Sequence, residues 1–193
     1  WSFPTSTSVP KPVQQPHPPI WVAARSPITF DYAVKNDCNI LSWPIARPFA
    51  EAELYRSQLD DVLAANPACA TPTFAMMRHT AVYDSADQWM VPVEAAQQQL
   101  SQFENLFKNL GDVDNGFPKA IPMDQVSNAA DYEPTTLSEN LMFGTPDEVV
   151  AKLRRYKDLG VDEFVYYASL GLGLAEQKRS MELFSNEVMP AFT

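Results

Sequence analysis

The sequence predicts an α/β fold made of four βα units whose strands lie parallel in one sheet. Short apolar runs of strand length recur along the chain, and longer segments with apolar residues at helical spacing lie between them. Because strands alternate with helices, a parallel sheet is favoured. A closed (β/α)8 barrel needs eight such units and about 250 residues, so the chain is predicted to be half of a TIM barrel. The predicted strands are residues 19–24, 39–43, 73–83 and 163–168.

The first unit contains the clearest candidate for an anion site. Its strand is followed by a turn of Arg25, Ser26 and Pro27. Serine is a good helix N-cap and proline is tolerated at the first helical position, so a helix is predicted over residues 26–36. A helix that begins directly after a strand brings free backbone N–H groups and a positive dipole end to one spot, which favours phosphate. Thr29 lies one turn after Ser26 and would add a second hydroxyl there.

The second unit has a large aromatic residue where its strand ends. The strand finishes on Ser42 and Trp43, and a helix with an apolar face is predicted over residues 48–66. Active sites of (β/α)8 barrels lie at the C-terminal ends of the strands. Trp43 is therefore interpreted either as buried packing or as a wall for a flat ring ligand.

The third and fourth units carry the polar candidates for a substrate pocket. His79 follows Arg78 in the third strand. A lone histidine more often has a structural role, so that role is favoured for His79; in the alternative interpretation, Arg78 or His79 lies near the substrate. Tyr166 and Tyr167 occupy alternate faces of the last strand, so one of them points inward. The candidate substrate pocket comprises Arg78, His79 and Tyr166. The helices of these units are predicted over residues 86–110, 146–159 and 175–189.

Two segments of the chain lack sustained periodicity. Residues 1–19 are rich in proline and predict an extended lead segment. Residues 111–143 follow the long third helix, and an irregular stretch of this length in a compact domain is either functional or disordered. We expect this segment to form a lid over the mouth of the site or, alternatively, a disordered surface insertion. Residues 1–193 are otherwise predicted to form one domain.

Composition and motifs argue against several classes of partner and site. The net charge of −10 argues against nucleic acid or an anionic membrane surface as a partner, and no apolar run is long enough to cross a bilayer. The two cysteines do not have the spacing of a disulfide framework or of a metal-binding motif, which favours a reducing, cytoplasmic location. No motif predicts a metal site, a serine nucleophile or a Walker lysine. This pattern is consistent with an enzyme whose cofactor supplies the chemistry.

Several motifs in order resemble the bacterial luciferase-like family of flavin-dependent monooxygenases. The first unit matches the family's strand, serine-containing turn and helix, and the next strand ends in a similar motif, ILSW at residues 40–43. The resemblance continues in FGTPDEV at 143–149, GVDEF at 160–164, SMELF at 180–184 and EVMP at 187–190. Each motif is weak alone, but their order and spacing over nearly the whole chain are specific for the family. The resemblance implies the C-terminal half of the barrel, strands five to eight.

The resemblance also implies a flavin site and an oxygenase activity. The implied cofactor is reduced, exchangeable FMN, with O2 and a small organic molecule as substrates and a flavin reductase or NAD(P)H as the source of electrons. A deazaflavin-dependent dehydrogenase on the same scaffold and a non-catalytic flavin-binding or structural protein remain alternatives. The implied cofactor-binding residues are Ala24, Arg25, Ser26, Thr29, Ser42 and Trp43.

A half-barrel is expected to need a partner. The chain begins at Trp1 rather than at a methionine, and the catalytic residues of the resemblance are expected on earlier strands. Four strands cannot close a barrel, so they leave open sheet edges and an uncovered apolar inner face. We therefore expect a missing N-terminal half-barrel as a partner, and an oligomer for the chain on its own.

Overall fold

The computed structural model describes residues 2, 4–5, 7, 9–127, 129–168 and 170–192. The described residues of the predicted lead segment are exposed and form no helix or strand; residues 1, 3, 6 and 8 of that segment lie outside the description. Strands and helices then alternate, as predicted. The elements of the first half are β1 (Trp21–Ala23), α1 (Pro27–Lys35), β2 (Asn39–Ser42), α2 (Phe49–Ala65) and β3 (Phe74–Val82).

The second half adds the fourth predicted strand and three short strands that the sequence did not predict. Thr145 and Glu148 form a capping box at the start of α5, in which the N–H and the hydroxyl of Thr145 donate to the Glu148 carboxylate at 2.7 and 3.0 Å. Gly160 follows the helix with φ of 83°, a conformation that favours glycine. The elements are α3 (Met90–Lys108), β4 (Val113–Asp114), β5 (Phe117–Pro118), α4 (Pro134–Asn140), β6 (Met142–Gly144), α5 (Pro146–Asp158), β7 (Glu163–Tyr167) and α6 (Leu174–Leu183).

The principal sheet is parallel throughout, which confirms the predicted fold class. Its strand order is β1-β2-β3, and β7 pairs with β3 so that His79 lies beside Tyr167. The short strand β6 pairs with the last three residues of β3. Within the described pairings, β1 bonds only to β2 and β7 only to β3, so both outer strands have an open edge. This is the arrangement expected of half a barrel.

The two faces of the sheet have different neighbours. The outer face packs against α1, α2, α5 and α6 and forms the larger core; its strand residues include Ile40, Phe74, Met76 and Val82. The inner face is the opposite one, since the helices of a (β/α)8 barrel pack on the outside. By strand register it carries Leu41, Trp43, Met77, His79, Val165 and Tyr167. Residues of α3 cover the C-terminal end of the inner face through a second core that contains Ala81, Val93, Ala96 and Leu100.

Segment 111–143 is more regular than the sequence predicted. It contains the β4–β5 hairpin, whose turn has Asn115 and Gly116 at positive φ, and the helix α4. Six of its described side chains are buried in the second core: Ile121, Val126, Tyr132, Leu137, Leu141 and Phe143. The prediction of an irregular segment was wrong. The apolar residues of this segment follow no single period in the sequence, and the segment acquires its order from tertiary packing. Phe117 at the hairpin remains 76% exposed.

The described helices include none that is both long enough and apolar enough to cross a lipid bilayer.

Candidate functional site

The start of α1 carries the predicted pair of hydroxyl groups. Ser26 precedes the helix in an extended conformation, and its Oγ lies 3.0 Å from Oγ1 of Thr29. The Ser26 side chain makes no capping bond to the helix backbone, whereas its carbonyl accepts the N–H groups of Thr29 and Phe30. Two partly exposed hydroxyls and the positive end of a helix dipole thus lie together at the C-terminal end of β1, an arrangement that suits a phosphate.

Ala24 and Ser42 join the ends of β1 and β2. The Ser42 hydroxyl donates to the Ala24 carbonyl at 2.6 Å, and the Ala24 N–H donates to the Leu41 carbonyl at 3.1 Å. Both residues are buried. Their polar groups are therefore used within the sheet, and the pair fixes the strand ends from which Arg25 and Trp43 project.

Trp43 lies at the centre of a cluster of rings on the inner face. Its ring centroid is 5.5 Å from those of His79 and Tyr167, and 5.6 Å from that of Phe103 in α3. The contacts with Tyr167 and Phe103 are edge-to-face, a favourable geometry for aromatic pairs. The buried indole Nε1 of Trp43 has no hydrogen-bond partner among the described residues.

His79 is fully buried beside Trp43 and is electrically neutral near pH 7. Burial lowers the pKa of its ring to about 4, and the nearby Arg78 charge acts in the same direction. Polar contact with Gln99 opposes the shift, yet neither ring nitrogen meets hydrogen-bond geometry with any described residue. Gln99 instead donates weakly to the Tyr167 hydroxyl at 3.4 Å, and its carbonyl oxygen is likewise unpartnered. Four buried polar atoms on this face therefore lack hydrogen-bond partners in the part of the chain that the structure describes.

Arg78 and Tyr166 lie on the outer face, so the structure does not bring them together with His79. Arg78 donates from Nε to the Tyr156 hydroxyl in α5 at 2.8 Å. The Tyr166 hydroxyl lies 2.6 Å from the Ser180 hydroxyl in α6. The prediction of these two residues as pocket lining was wrong, because successive side chains of a strand point to opposite faces. Tyr167 is the tyrosine of β7 that accompanies His79.

A cleft opens at the C-terminal ends of β1 and β2. It consists of two adjoining cavities of about 490 and 230 Å³. Trp43, Phe103 and Phe107 contribute to the smaller cavity, and polar side chains line most of the larger one. The residues common to both cavities are Arg25, Ile45, Glu104 and Tyr132.

The charges around the cleft are mixed. Arg47 pairs with Asp131 at 2.7 Å, and Lys108 pairs with Glu104 at 2.8 Å. Burial, assisted by Glu104 and Asp131, raises the pKa of Tyr132 to about 12, so its hydroxyl stays protonated. Arg25 is exposed at the rim. Arg25 directly precedes Ser26, so the cleft has one cationic side chain adjoining the hydroxyl pair of α1, within a chain of net charge −10.

Sequence reasoning missed several residues of this region. Gln99, Phe103 and Tyr132 come from α3 and segment 111–143, whose placement over the inner face depends on tertiary contacts. Phe103 belongs to the apolar stripe of α3, a pattern that predicts contact with a core but not which residues form the contact. Ile45 carried no local signal. Among the described residues, no cluster of three or more His, Cys, Asp or Glu side chains is arranged to hold a metal ion.

Known proteins of similar sequence or structure identify the family. The model of the family described as luciferase-like monooxygenase matches residues 1–163. The oxygenase component of the flavin-dependent trigonelline monooxygenase of Acinetobacter baylyi is 32% identical over 193 residues, covering 100% of this chain and 54% of that protein.

Solved structures show the same fold at lower sequence identity. The oxygenating constituent of 3,6-diketocamphane monooxygenase from Pseudomonas putida, in complex with FMN, has a TM-score of 0.64 and 18% identity, covering 92% of this chain and 50% of its own. The coenzyme F420-dependent tetrahydromethanopterin reductase of Methanopyrus kandleri has a TM-score of 0.62 and 19% identity, covering 91% and 51%.

The extent of these matches agrees with the open-edged sheet. The chain spans about half the length of the curated relative and of these two structures. The parallel βα units of the chain agree with the family whose model matches 163 of its residues. The chain belongs to the luciferase-like monooxygenase family.

Proposed function

We propose that this chain is the C-terminal half of a flavin-dependent monooxygenase and supplies the phosphate end and one wall of an FMN site. The observation that carries the proposal is the hydroxyl pair of Ser26 and Thr29 at the start of α1, directly after Arg25, which lines the cleft. Helix N-termini favour anions through their free N–H groups and dipole. The two hydroxyls would donate to phosphate oxygens, and Arg25 at the rim would add a positive charge.

The inner face would provide the wall against the flavin ring. Trp43 offers a large apolar surface, and the rings of Tyr167 and Phe103 hold it in place. Bound in its reduced form, FMN would supply the electrons with which O2 is activated. The side chains of this chain would orient the ring and keep water away from it, and α3 is already positioned to cover that face.

His79 is proposed to contact the flavin or the substrate through a hydrogen bond. Its two ring nitrogens and the Trp43 indole N–H are buried without partners among the described residues. A buried polar group that stays unpaired is costly, so a bound ligand or the completing half of the barrel is expected to meet these atoms. Because the ring is neutral, His79 would donate one hydrogen bond and accept another rather than act as a cation.

The partners follow from the same proposal. The A. baylyi relative is named as an oxygenase component, which supports a separate reductase that delivers reduced flavin. Its name also supports a small organic substrate for this protein. The open edges of β1 and β7 support a second half-barrel that pairs with both strands.

A deazaflavin-dependent dehydrogenase is the second candidate. Two structures of similar fold use coenzyme F420, the M. kandleri reductase and a secondary alcohol dehydrogenase with a TM-score of 0.54. Both cofactors carry a flat ring and a phosphate, so the cleft suits either. Titration of the complete barrel with FMN and with F420, followed by ligand fluorescence, separates the two candidates through their relative affinities.

The phosphate site can be tested by substitution. In the complete barrel, Ser26→Ala is expected to weaken FMN binding by about 1–2 kcal/mol, the scale of a hydrogen bond to a charged group. Thr145→Ala is the matched control, because Thr145 also precedes a proline at a helix start but its hydroxyl is bonded to Glu148. Unchanged FMN affinity in Ser26→Ala, with an intact circular dichroism spectrum, would remove Ser26 from the site. No binding of FMN or F420 by the unaltered protein would refute the proposed function itself.

A further inference from the structure

The loop between β2 and α2 has an unfavourable backbone conformation. Ile45 in this loop has φ of 57°, in the left-handed region. A β-branched residue is a clear outlier there, because its side chain crowds the backbone. Such conformations persist only where the surrounding structure enforces them, and they cluster at functional sites. Ile45 lines both cavities of the cleft.

The guanidinium of Arg78 binds the backbone of this loop from the outer face. Its Nη1 donates to the carbonyls of Ile45 at 3.2 Å and Arg47 at 2.8 Å, and its Nη2 reaches the Pro48 carbonyl at 3.5 Å. Three carbonyls of a four-residue stretch are therefore held by one side chain. The fourth carbonyl, of Ala46, accepts the Asn140 side-chain amide at 3.0 Å. Every carbonyl from residue 45 to residue 48 thus has a side-chain donor from elsewhere in the chain.

Arg78 is itself held rigidly. It is 0% exposed, and its Nε donates to Tyr156 of α5. Its guanidinium stands 5.8 Å from the centroid of the same tyrosine ring. The described ion pairs include no carboxylate partner for Arg78, so the carbonyl dipoles and the tyrosine hydroxyl stabilise its charge. The planar fork of arginine can bind several acceptors in fixed directions, which the single ammonium of lysine cannot.

We infer that Arg78 is a positioning residue that holds the β2–α2 loop in its strained conformation and thereby shapes the cleft beside Trp43. It acts from the face of the sheet opposite to His79 and Trp43. Arg78 affects the cleft through the loop: the loop carbonyls accept hydrogen bonds from Arg78, and Ile45 of the same loop lines the cleft. The link to flavin binding rests on the proposed function, whereas the role of Arg78 in holding the loop does not.

Hydrogen exchange tests the loop without any cofactor. In the complete barrel, Arg78→Lys is expected to speed amide exchange in peptides that span residues 43–48 by about tenfold, with exchange in the rest of β3 unchanged. The Arg47 amide, which bonds to the Pro44 carbonyl, is the reporter. Tyr156→Phe is the matched control, because it removes the anchor at Nε and leaves the three loop bonds. Native exchange of 43–48 in Arg78→Lys would overturn the inference.

A second variant keeps the test decisive if Arg78→Lys perturbs more than the loop. Asparagine tolerates positive φ better than isoleucine. Ile45→Asn added to Arg78→Lys is therefore expected to restore slow exchange at Arg47, since the loop then needs no external support. A general loss of stability would not be repaired by this change. Failure of the double variant to recover protection would overturn the inference.

FMN affinity provides the functional measurement. Arg78→Lys is expected to raise the Kd for FMN by about tenfold, and the added Ile45→Asn is expected to recover part of that loss. Ser26→Ala should weaken FMN binding and leave loop exchange native. If the unaltered protein binds no FMN, the proposed function fails and the exchange experiment alone decides the role of Arg78. Native FMN affinity in Arg78→Lys, with a loop that exchanges fast, would refute the link to the cleft.

Discussion

The buried, neutral His79 should make the stability of this protein depend on pH between 4 and 6.5. The ordinary pKa of a histidine ring is 6.5, and burial lowers that of His79 to about 4. Within this window the unfolded chain binds a proton at His79 and the folded chain does not. The free energy of unfolding therefore falls as the pH decreases from 6.5 to 4. Above pH 6.5, burial of the neutral His79 ring carries no such loss of stability.

The size of the effect follows from the two pKa values. At pH 7 both states are mostly neutral at this site, so protonation hardly favours unfolding. At pH 5 the unfolded ring is almost fully protonated and the folded ring almost neutral, which favours unfolding by about 2 kcal/mol more than at pH 7. This is a large fraction of the stability of an ordinary domain.

A comparison of variants isolates this contribution from that of the carboxylates. His79→Asn removes the titrating ring, and urea unfolding at pH 7 and pH 5 should show about 2 kcal/mol less loss of stability in the variant than in the parent. His17→Asn is the matched control, because the chain has two histidines and His17 is exposed in the lead segment. Sedimentation at both pH values must show the same state of association.

Two results would refute this reasoning. One is an equal loss of stability between pH 7 and pH 5 in the parent and in His79→Asn. The other is an NMR titration of the His79 ring that runs with a midpoint near 6.5, with the signal assigned by its absence in the variant. Either result would mean that the His79 ring in the folded protein is solvated or has a hydrogen-bond partner that stabilises its protonated form.

Three further predictions concern the open edges of the sheet, segment 111–143 and the ammonium group of Lys152. The 193-residue chain alone should self-associate, because the edges of β1 and β7 are open; a monomer in sedimentation that unfolds cooperatively would contradict this. Limited proteolysis of the complete barrel should cut near Gly116, at the exposed hairpin, and slow when flavin binds; equal rates with and without flavin would leave segment 111–143 without a lid function. Lys152→Met should lower the free energy of unfolding by about 1–3 kcal/mol, because Nζ donates to the carbonyls of Ser138, Leu141 and Phe143. Equal urea midpoints for variant and parent would show that these bonds contribute nothing.

The four strands of the predicted βα units and the starts of α1 and α5 could be predicted from the sequence because their signals are local. Ser26 before Pro27 and the capping box at Thr145 each depend on residues within one helical turn, and both helices begin where expected. The chain order of strands and helices then leads to a parallel sheet.

The faces of β3 could not be predicted in the same way. Nearly every residue of this strand is buried, on both faces, so no alternation of polar and apolar residues marks the inner one. Arg78 and His79 are neighbours in the chain, and only their tertiary contacts separate their roles: Arg78 bonds to Tyr156 of α5, whereas His79 packs against Tyr167 of β7. The same limit applied to Tyr166 and Tyr167.

The loop at Ile45 and the segment 111–143 depend on distant contacts. The positive φ of Ile45 contradicts its local preference and is compensated by Arg78, thirty-three positions later. Tyr132 and Leu141 belong to a segment whose apolar residues follow no single period, and their burial against α3 is a tertiary effect.

The opposite orientations of Arg78 and His79 have a consequence for how this protein can diversify. Arg78 supports the β2–α2 loop from the outer face of the sheet, and its neighbour His79 contacts the rings of Trp43 and Tyr167 on the inner face. Under the proposed function, exchanges at His79, Gln99 or Tyr167 should change the flavin and substrate site on the inner face while the loop support from Arg78 stays intact. A library built at those three positions should therefore yield altered selectivity with few unfolded members, whereas one built at Arg78 should yield mainly defective cofactor binding.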